Sequence, residues 1–277
     1  MSYVNAALRP LFDLLLAPFA GLPTIVSVVV VSLLTAILML VVFKHTSNQT
    51  ALADVKRRIH AGLFEIRLFN DDLRAILRAQ SEILRTNLTY LKLSLWPMVW
   101  ILPPLVLVIA QLQFHYGYEG LRPGQSTLLE VDLKAGAVQD GVRPAATLDL
   151  PDGLRAEGRE VWVPAESQLA WRLAADAAGD YAVKVTVDGA ESVSKTVRVT
   201  DRTVRLSPVR VDPSFLSQLI FPAEPALPTD GPVQAIHVAY EDRAVSVLGL
   251  GMHWMIPFFV LSIAFAFALR GWMKVTI

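Results

Sequence analysis

The sequence predicts a membrane protein of mixed class: three transmembrane helices, a cytoplasmic helical hairpin and an extracytoplasmic antiparallel β-sandwich. Three observations carry this. Long apolar runs hold almost no charge, so that only 18% of the 277 residues are charged and 53% are hydrophobic, where a soluble domain has about 25% charged residues. Basic residues crowd one connecting segment and acidic residues another. Between residues 120 and 210, apolar side chains alternate with polar ones in short runs, the period of a half-buried strand.

Composition also excludes chemistry. The 25 basic and 25 acidic residues cancel, which argues against DNA as a partner. With no cysteine, disulfides, thiolate metal sites, iron–sulfur clusters and thiol nucleophiles are ruled out.

Residues 1–21 read as an amphipathic helix. Val4, Leu8, Leu11, Phe12, Leu15 and Phe19 recur at three- and four-residue steps, Asn5, Arg9 and Asp13 take the other face, and Pro18 stops the run. Its expected place is the outer membrane interface; packing on the outer domain is the alternative. Residues 22–43 form the first span, with Thr24 to Phe43 uncharged. This run starts too late and is too long for a cleaved signal peptide, so the mature chain is expected to begin near Met1.

Residues 44–93 read as a helical hairpin. Leu52, Val55, Ile59, Leu63, Ile66, Leu73, Leu77, Leu84 and Leu91 give a seam near 3.5-residue spacing. Asn70-Asp71-Asp72 at the midpoint suits a turn and a helix cap. Two antiparallel helices of about 20–25 residues would stand roughly 30–37 Å tall. Residues 94–114 are the second span. Pro97, Pro103 and Pro104 are expected to interrupt it, and freed carbonyls in lipid need neighbouring helices to cover them.

Residues 115–211 form the β domain. Candidate strands are Thr127–Leu133, Ala146–Leu150, Glu160–Val163, Gln168–Leu173, Tyr181–Val187, Val193–Val199 and Val204–Val211, with a turn at Asp188-Gly189. Seven short strands suggest an antiparallel sandwich. Residues 212–244 read as a proline-rich linker whose Phe215, Leu219 and Phe221 dock on membrane, sandwich or partner, with one more strand through Ile236, Val238 and Tyr240. Residues 245–277 hold the third span, about Val245 to Leu269, and a tail with Arg270 and Lys274.

Charge sets the orientation. Residues 44–93 hold nine basic and five acidic residues, whereas 115–245 hold 13 basic and 19 acidic, net −6. By the positive-inside rule the hairpin and C-terminal tail are cytoplasmic, and the N-terminus and β domain lie outside an inner (cytoplasmic) membrane, in the periplasm. Trp96, Trp100 and Trp272 then mark the inner interface, and Phe114, Tyr116, Tyr118 and Trp254 the outer one.

The run Gly179-Asp180-Tyr181-Ala182-Val183-Lys184-Val185 resembles the G-x-Y-x-V-x-V strand of immunoglobulin-like and PKD-like domains. The resemblance implies that Tyr181 forms the corner capping the sandwich, with Trp171 filling the core. The membrane core is similar to that of YidC/Oxa-type insertases, above all their three-span relatives. That likeness rests on element order over residues 3–118 and 245–274 and on Lys44, Asn48-Gln49 and Val55-Lys56-Arg57-Arg58. It implies an intramembrane polar groove, yet neither of the first two spans contains a charge.

Candidate chemistry is sparse. His115 and His253 lie near the outer ends of the second and third spans and could bind a metal or pigment, although lone interfacial histidines are more often hydrogen-bonded or solvated. Asp71-Asp72 and Glu241-Asp242 read as turns or caps. Gly249-Leu250-Gly251 reads as a site of close helix contact in the membrane. Lys56, Arg57 and Arg58 could touch anionic headgroups, RNA or an acidic partner; a solvated helix face is the plain alternative. Trp162 and Trp171 could stack on sugars, although strand tryptophans usually fill cores. No P-loop, zincin motif or nucleophile elbow occurs. The expectation is therefore a non-catalytic accessory or scaffold subunit of a larger respiratory, photosynthetic or secretory membrane complex. It needs no cofactor, and its partners are other integral membrane subunits and lipids. The alternative is an insertase or membrane chaperone that meets ribosomes or nascent chains.

Overall fold

A computed structural model of the chain describes residues 1–68, 73–134, 136–137, 142–247 and 249–275. Helix α1 (Ser2–Leu16) is followed by α2 (Thr24–Thr46), α3 (Gln49–Leu68) and α4 (Leu73–Tyr116). Strands β1 (Tyr118–Glu119), β2 (Ser126–Leu133), β3 (Ala146–Asp149), β4 (Leu154–Ala156), β5 (Val161–Val163), β6 (Gln168–Ala175), β7 (Gly179–Val187), β8 (Val193–Val199) and β9 (Val209–Val211) come next. Then follow α5 (Phe215–Ile220), β10 (Val233–Val238), β11 (Glu241–Asp242), β12 (Ala244–Val247), β13 (Leu250–His253) and α6 (Met255–Leu269). The chain is thus helical with antiparallel sheets. It divides into two compact units, Met1–Ser27 with Ile109–Trp254, and Val28–Val108 with Met255–Ile277.

The first unit is built on two sheets. One has the order β4-β6-β2-β10-β9, with β5 also on β6; the other is β3-β7-β8. Their facing residues alternate along each strand, as the pleat requires. Leu129, Val131, Leu169 and Trp171 of the larger sheet share one core with Val183, Val185, Val197 and Val199 of the smaller. Between β7 and β8 the chain turns at Asp188-Gly189, where both φ angles are positive (48° and 70°), the backbone that favours Asp-Gly in tight hairpins. The Tyr181 hydroxyl donates to the Ala177 carbonyl at 2.9 Å. Its ring lies against Gly153 and Gly179.

Residues 212–244 are not a linker. β10 lies inside the larger sheet, paired with β2 on one side and β9 on the other. Val233, Ala235, Ile236 and Val238 are buried, so this strand is part of the core. The proline-rich stretch before it is held by Arg210 of β9, which donates to the carbonyls of Pro225 and Ala226 at 2.9 and 3.2 Å.

The third apolar stretch also differs from expectation. Its first residues form a hairpin, β12 with β13, and only Met255–Leu269 is helical, 15 residues. At 1.5 Å per residue that is about 22 Å, short of a hydrocarbon core of about 30 Å. β-Branched Val245 and Val247 alternate with Ala244 and Ser246, and Gly249 has φ +85°. Accordingly Gly249-Leu250-Gly251 belongs to this hairpin and not to a helix contact. Glu241-Asp242 forms β11 and pairs with β1.

Three of the four expected outer-interface aromatics are interior: Phe114, Tyr116 and Trp254 are buried. Trp254 Nε1 donates to Gln113 Oε1 at 2.9 Å. By contrast, Trp96, Trp100 and Trp272 are exposed.

In the second unit, α2 and α6 run parallel. Ser32 Oγ donates to the Phe258 carbonyl at 3.2 Å, and Lys44 Nζ to the Met273 carbonyl at 3.0 Å. Ser32, Thr35, Ala36 and Leu40 lie on the buried side of α2; the first three are the small residues that close helix contact favours. α3 and α4 run antiparallel, with Lys56 over the Tyr90 ring at 5.7 Å and Gly62 against Ile83. A Cβ at Gly62 would lie 2.7 Å from Ile83 Cγ1. The turn expected at Asn70-Asp71-Asp72 lies outside the described residues, as do the side chains of Leu63 and Leu73. α4 passes without a break from the hairpin through the expected boundary at residues 93 and 94 and through Pro97, Pro103 and Pro104. Its 44 residues extend about 66 Å.

Among the described residues, two helices are long and apolar enough to cross a membrane, Thr24–Thr46 and Ile76–Tyr116.

Candidate functional site

The polar core of the first unit starts with α1. Its Asn5, Arg9, Phe12, Asp13 and Leu16 turn inward, while Tyr3, Leu11 and Leu14 are 93, 57 and 76% exposed. The polar stripe therefore faces protein, the reverse of a helix lying with its polar side in water. Asn5 Nδ2 donates to the Gln218 carbonyl at 2.6 Å. Asp13 bridges two partners: its Oδ2 accepts from Arg205 Nη2 at 2.5 Å, and its Oδ1 lies 3.2 Å from His115 Nε2. Burial alone would raise the Asp13 carboxyl, but the His115 hydrogen bond and the Arg205 charge outweigh it and hold it below the ordinary carboxylate value.

Beside this group lies a second one. Lys195 sits at an inward position of β8, between Val193 and Val197, with no side-chain exposure. Its ammonium donates to the Ser207 carbonyl at 2.5 Å, to Ser207 Oγ at 3.0 Å and to Glu224 Oε2 at 2.5 Å. Glu224 accepts further bonds from the Thr196 N–H at 2.9 Å and Ser207 Oγ at 2.8 Å. All three ammonium donors are thereby used, the condition for burying such a charge. Burial pushes the Lys195 ammonium below its ordinary value despite Glu224. For Glu224 burial works upward, but the Lys195 charge and its hydrogen bonds win and lower it.

Arg9, Arg198 and Arg205 line a cavity of about 200 Å³ together with Thr196, Ser207 and Glu224. Arg205 is tied to Asp13. Arg198 donates to the Arg205 carbonyl at 2.6 Å and lies 3.4 Å from Asp180. Arg9 has no hydrogen-bond or ion-pair partner among the described residues, and Arg9 Nε and Arg205 Nη1 are buried without an acceptor. A second cavity of about 270 Å³ lies on the Asp13 and His115 side of Arg205.

No known protein family, curated protein or solved structure matches the chain.

The residues singled out in the sequence fall into separate places. His115 is buried, with Nδ1 3.1 Å from the Gln111 carbonyl and Nε2 on Asp13, so both ring nitrogens are already engaged. His253 is exposed on β13, 6.0 Å from the Trp254 ring. Among the described residues, no three His, Cys, Asp or Glu side chains group to hold a metal. Lys56, Arg57 and Arg58 do not share one task. Lys56 lies over Tyr90, Arg57 pairs with Asp54, and Arg58 lines a groove with Arg78 and Arg85. Phe215 is exposed, Leu219 is half-buried, and Phe221 packs 6.4 Å from the Phe114 ring. Trp171 is buried in the core, which removes it as a sugar platform, and Trp162 packs partly buried against that core.

The Lys195–Glu224 pair and the arginine cavity are not among the residues picked from sequence. One signal for Lys195 was present: it falls on the inward phase of a valine alternation, where a lysine must find a buried partner. Nothing local marks Glu224 as its partner, because it lies 29 residues further along the chain.

Proposed function

We propose that the chain is a non-catalytic integral-membrane scaffold subunit. In this reading the β unit lies outside the membrane, the α3–α4 hairpin is cytoplasmic, and α4 offers its lipid-level face to another membrane subunit. The observation that carries the proposal is α4. Over its apolar stretch only 6% is buried, against 39% for α2, and it carries three prolines. A proline removes a backbone donor and frees a carbonyl three or four residues back, which in lipid needs cover from a neighbouring helix. Large apolar side chains such as Trp96, Val99, Leu102 and Val106 are bare. The parallel course of α2 and α6 supports an arrangement in which both enter from the same side, as an odd number of spans requires. At 15 residues, α6 would have to sit in a locally thinned bilayer or beside partner helices.

A second reading, a membrane insertase or chaperone resembling the YidC/Oxa type, is favoured by helix order and by the same bare face of α4. The two readings part on what touches α4. A photocrosslinker at Val99, Leu102 or Val106 in native membranes is expected to give one adduct of constant mass. A smear of many proteins, enriched in nascent chains, would favour the insertase reading, and lipid adducts alone would remove both.

A further inference from the structure

We propose that the cavity bounded by Arg9, Arg198 and Arg205 binds a phosphate group. Charge is the first argument. Five cations meet in this region, Arg9, Lys195, Arg198, Arg205 and Arg210, against three carboxylates: Glu224, Asp13 and Asp180. Each carboxylate is already committed, Glu224 to Lys195, Asp13 to Arg205 and Asp180 to Arg198. Arg210 spends its donors on backbone carbonyls. Arg9 and Arg210 are left without a paired carboxylate, and of the two only Arg9 lines the cavity, an excess of one positive charge that suits a phosphodiester.

Geometry is the second. Guanidinium groups offer planar, forked donors that match phosphate oxygens. Here they line a cavity of about 200 Å³, and one of them, Arg9, makes no hydrogen bond or ion pair among the described residues. Buried donors without acceptors are costly, and Arg9 Nε and Arg205 Nη1 are two such atoms within a single cluster. Although Glu224 also lines the cavity, Lys195, Thr196 and Ser207 occupy its oxygens.

The place of Arg205 suggests where the phosphate comes from. Its neighbour Thr203 meets the Thr24 hydroxyl at 3.1 Å, and Leu206 N–H donates to the Phe114 carbonyl at 2.7 Å. Thr24 begins one apolar helix and Phe114 lies near the end of the other. If these helices span a bilayer, Arg205 stands at headgroup depth, paired with Asp13 of an α1 whose Leu11 and Leu14 are exposed. A phospholipid headgroup and free phosphate share the chemistry. Only the lipid source rests on the membrane reading.

The test uses the full chain in neutral detergent, as wild type and Arg9→Gln. Arg9 has no hydrogen-bond partner among the described residues and its buried donor is unpaired, so Arg9→Gln is expected not to lower the unliganded melting temperature; Arg9→Lys, which keeps the charge, serves if the glutamine variant fails to fold. The probes are 1-palmitoyl-2-oleoyl-phosphatidylglycerol, with diacylglycerol as the phosphate-free control, and inorganic phosphate, with chloride at equal ionic strength. Native mass spectrometry and melting temperature are the readouts. Binding of phosphatidylglycerol but not diacylglycerol, weakened about 10- to 100-fold in Arg9→Gln and partly restored in Arg9→Lys, supports a headgroup site. The same pattern for inorganic phosphate alone supports the cavity with a soluble ligand and leaves the scaffold reading untouched. Equal binding by wild type and Arg9→Gln, or no binding of either probe, overturns the proposal.

Discussion

Among the described residues Glu224 is the only carboxylate bonded to Lys195, and its charge also acts on Arg9, Arg205 and Arg210. Glu224→Gln keeps the side chain's shape and removes that charge. The fully buried ammonium then keeps two oxygens of Ser207 and loses its counter-ion, while Arg198 and Arg210 continue to repel it. Breaking a buried pair from one side costs about 3–5 kcal/mol. Lys195→Met should cost less, by about 1 kcal/mol or more, because it takes a charge out of a cation-rich region and fills the same volume with apolar atoms. Glu224 would still hold the Thr196 N–H and Ser207 Oγ. Hydrogen exchange of the β8 amides in the full chain reads this locally. At about 1.4 kcal/mol per decade, Glu224→Gln should speed exchange by roughly two decades or more, up to the limit set by global unfolding. A change under tenfold, or a larger effect from Lys195→Met than from Glu224→Gln, would refute the electrostatic account of this pair.

Other perturbations follow from the same geometry. Asp13→Asn removes the Arg205 ion pair and should loosen α1 by about 1–2 kcal/mol, seen as faster proteolysis within residues 1–21 with the β8 amides unchanged; unaltered cleavage would count against the docking role of Asp13. Acid should weaken the first unit. Asp13, Asp132 and Glu224 are all held below their ordinary values in the folded chain, Asp132 chiefly by the His237 hydrogen bond. The unfolded chain therefore takes up protons first as pH falls. Their contribution is complete above about pH 5 and lost through about pH 4 and below, so a melting temperature that rose on acidification would contradict this. Gly153→Ala combines a φ of +103° with a clash against the Tyr181 ring and should destabilise the sandwich by about 1–3 kcal/mol; a neutral melting temperature would show that the ring moves aside without cost.

How much of this was legible in the sequence depended on the range of the interaction. The longer strands β2, β6, β7 and β8 are readable because a period of two is written locally, and Asp188-Gly189 marks its own turn, whereas the three-residue β4 is too short to show a period and the run Val204–Val211 is a strand only over Val209–Val211. The apolar runs of α2 and α4 were equally plain. By contrast, β10 was seen as a strand but its place in the sheet was not, since pairing with β2 joins residues about a hundred positions apart. Hydropathy alone merged β12, β13 and α6 into one span, although Gly249 and the valine alternation held the information that splits them. The pattern in α1 separates Asn5, Arg9 and Asp13 from Leu11, but Phe12 is buried on the same side as the polar residues, which fits the alternative of packing on the outer domain. An amphipathic pattern says which residues share a side, not which side meets protein. The arginine cavity was invisible for the same reason as the Lys195 pair: Arg9, Arg198 and Arg205 converge only once the fold is formed.

The scaffold account is tested most directly by isolating the full chain from native membranes in mild detergent and weighing what comes with it. The account expects one fixed set of integral-membrane partners at constant stoichiometry, held through α4. A stable monomer would contradict it, and so would ribosomal proteins with a scatter of substoichiometric clients, the result that belongs to an insertase.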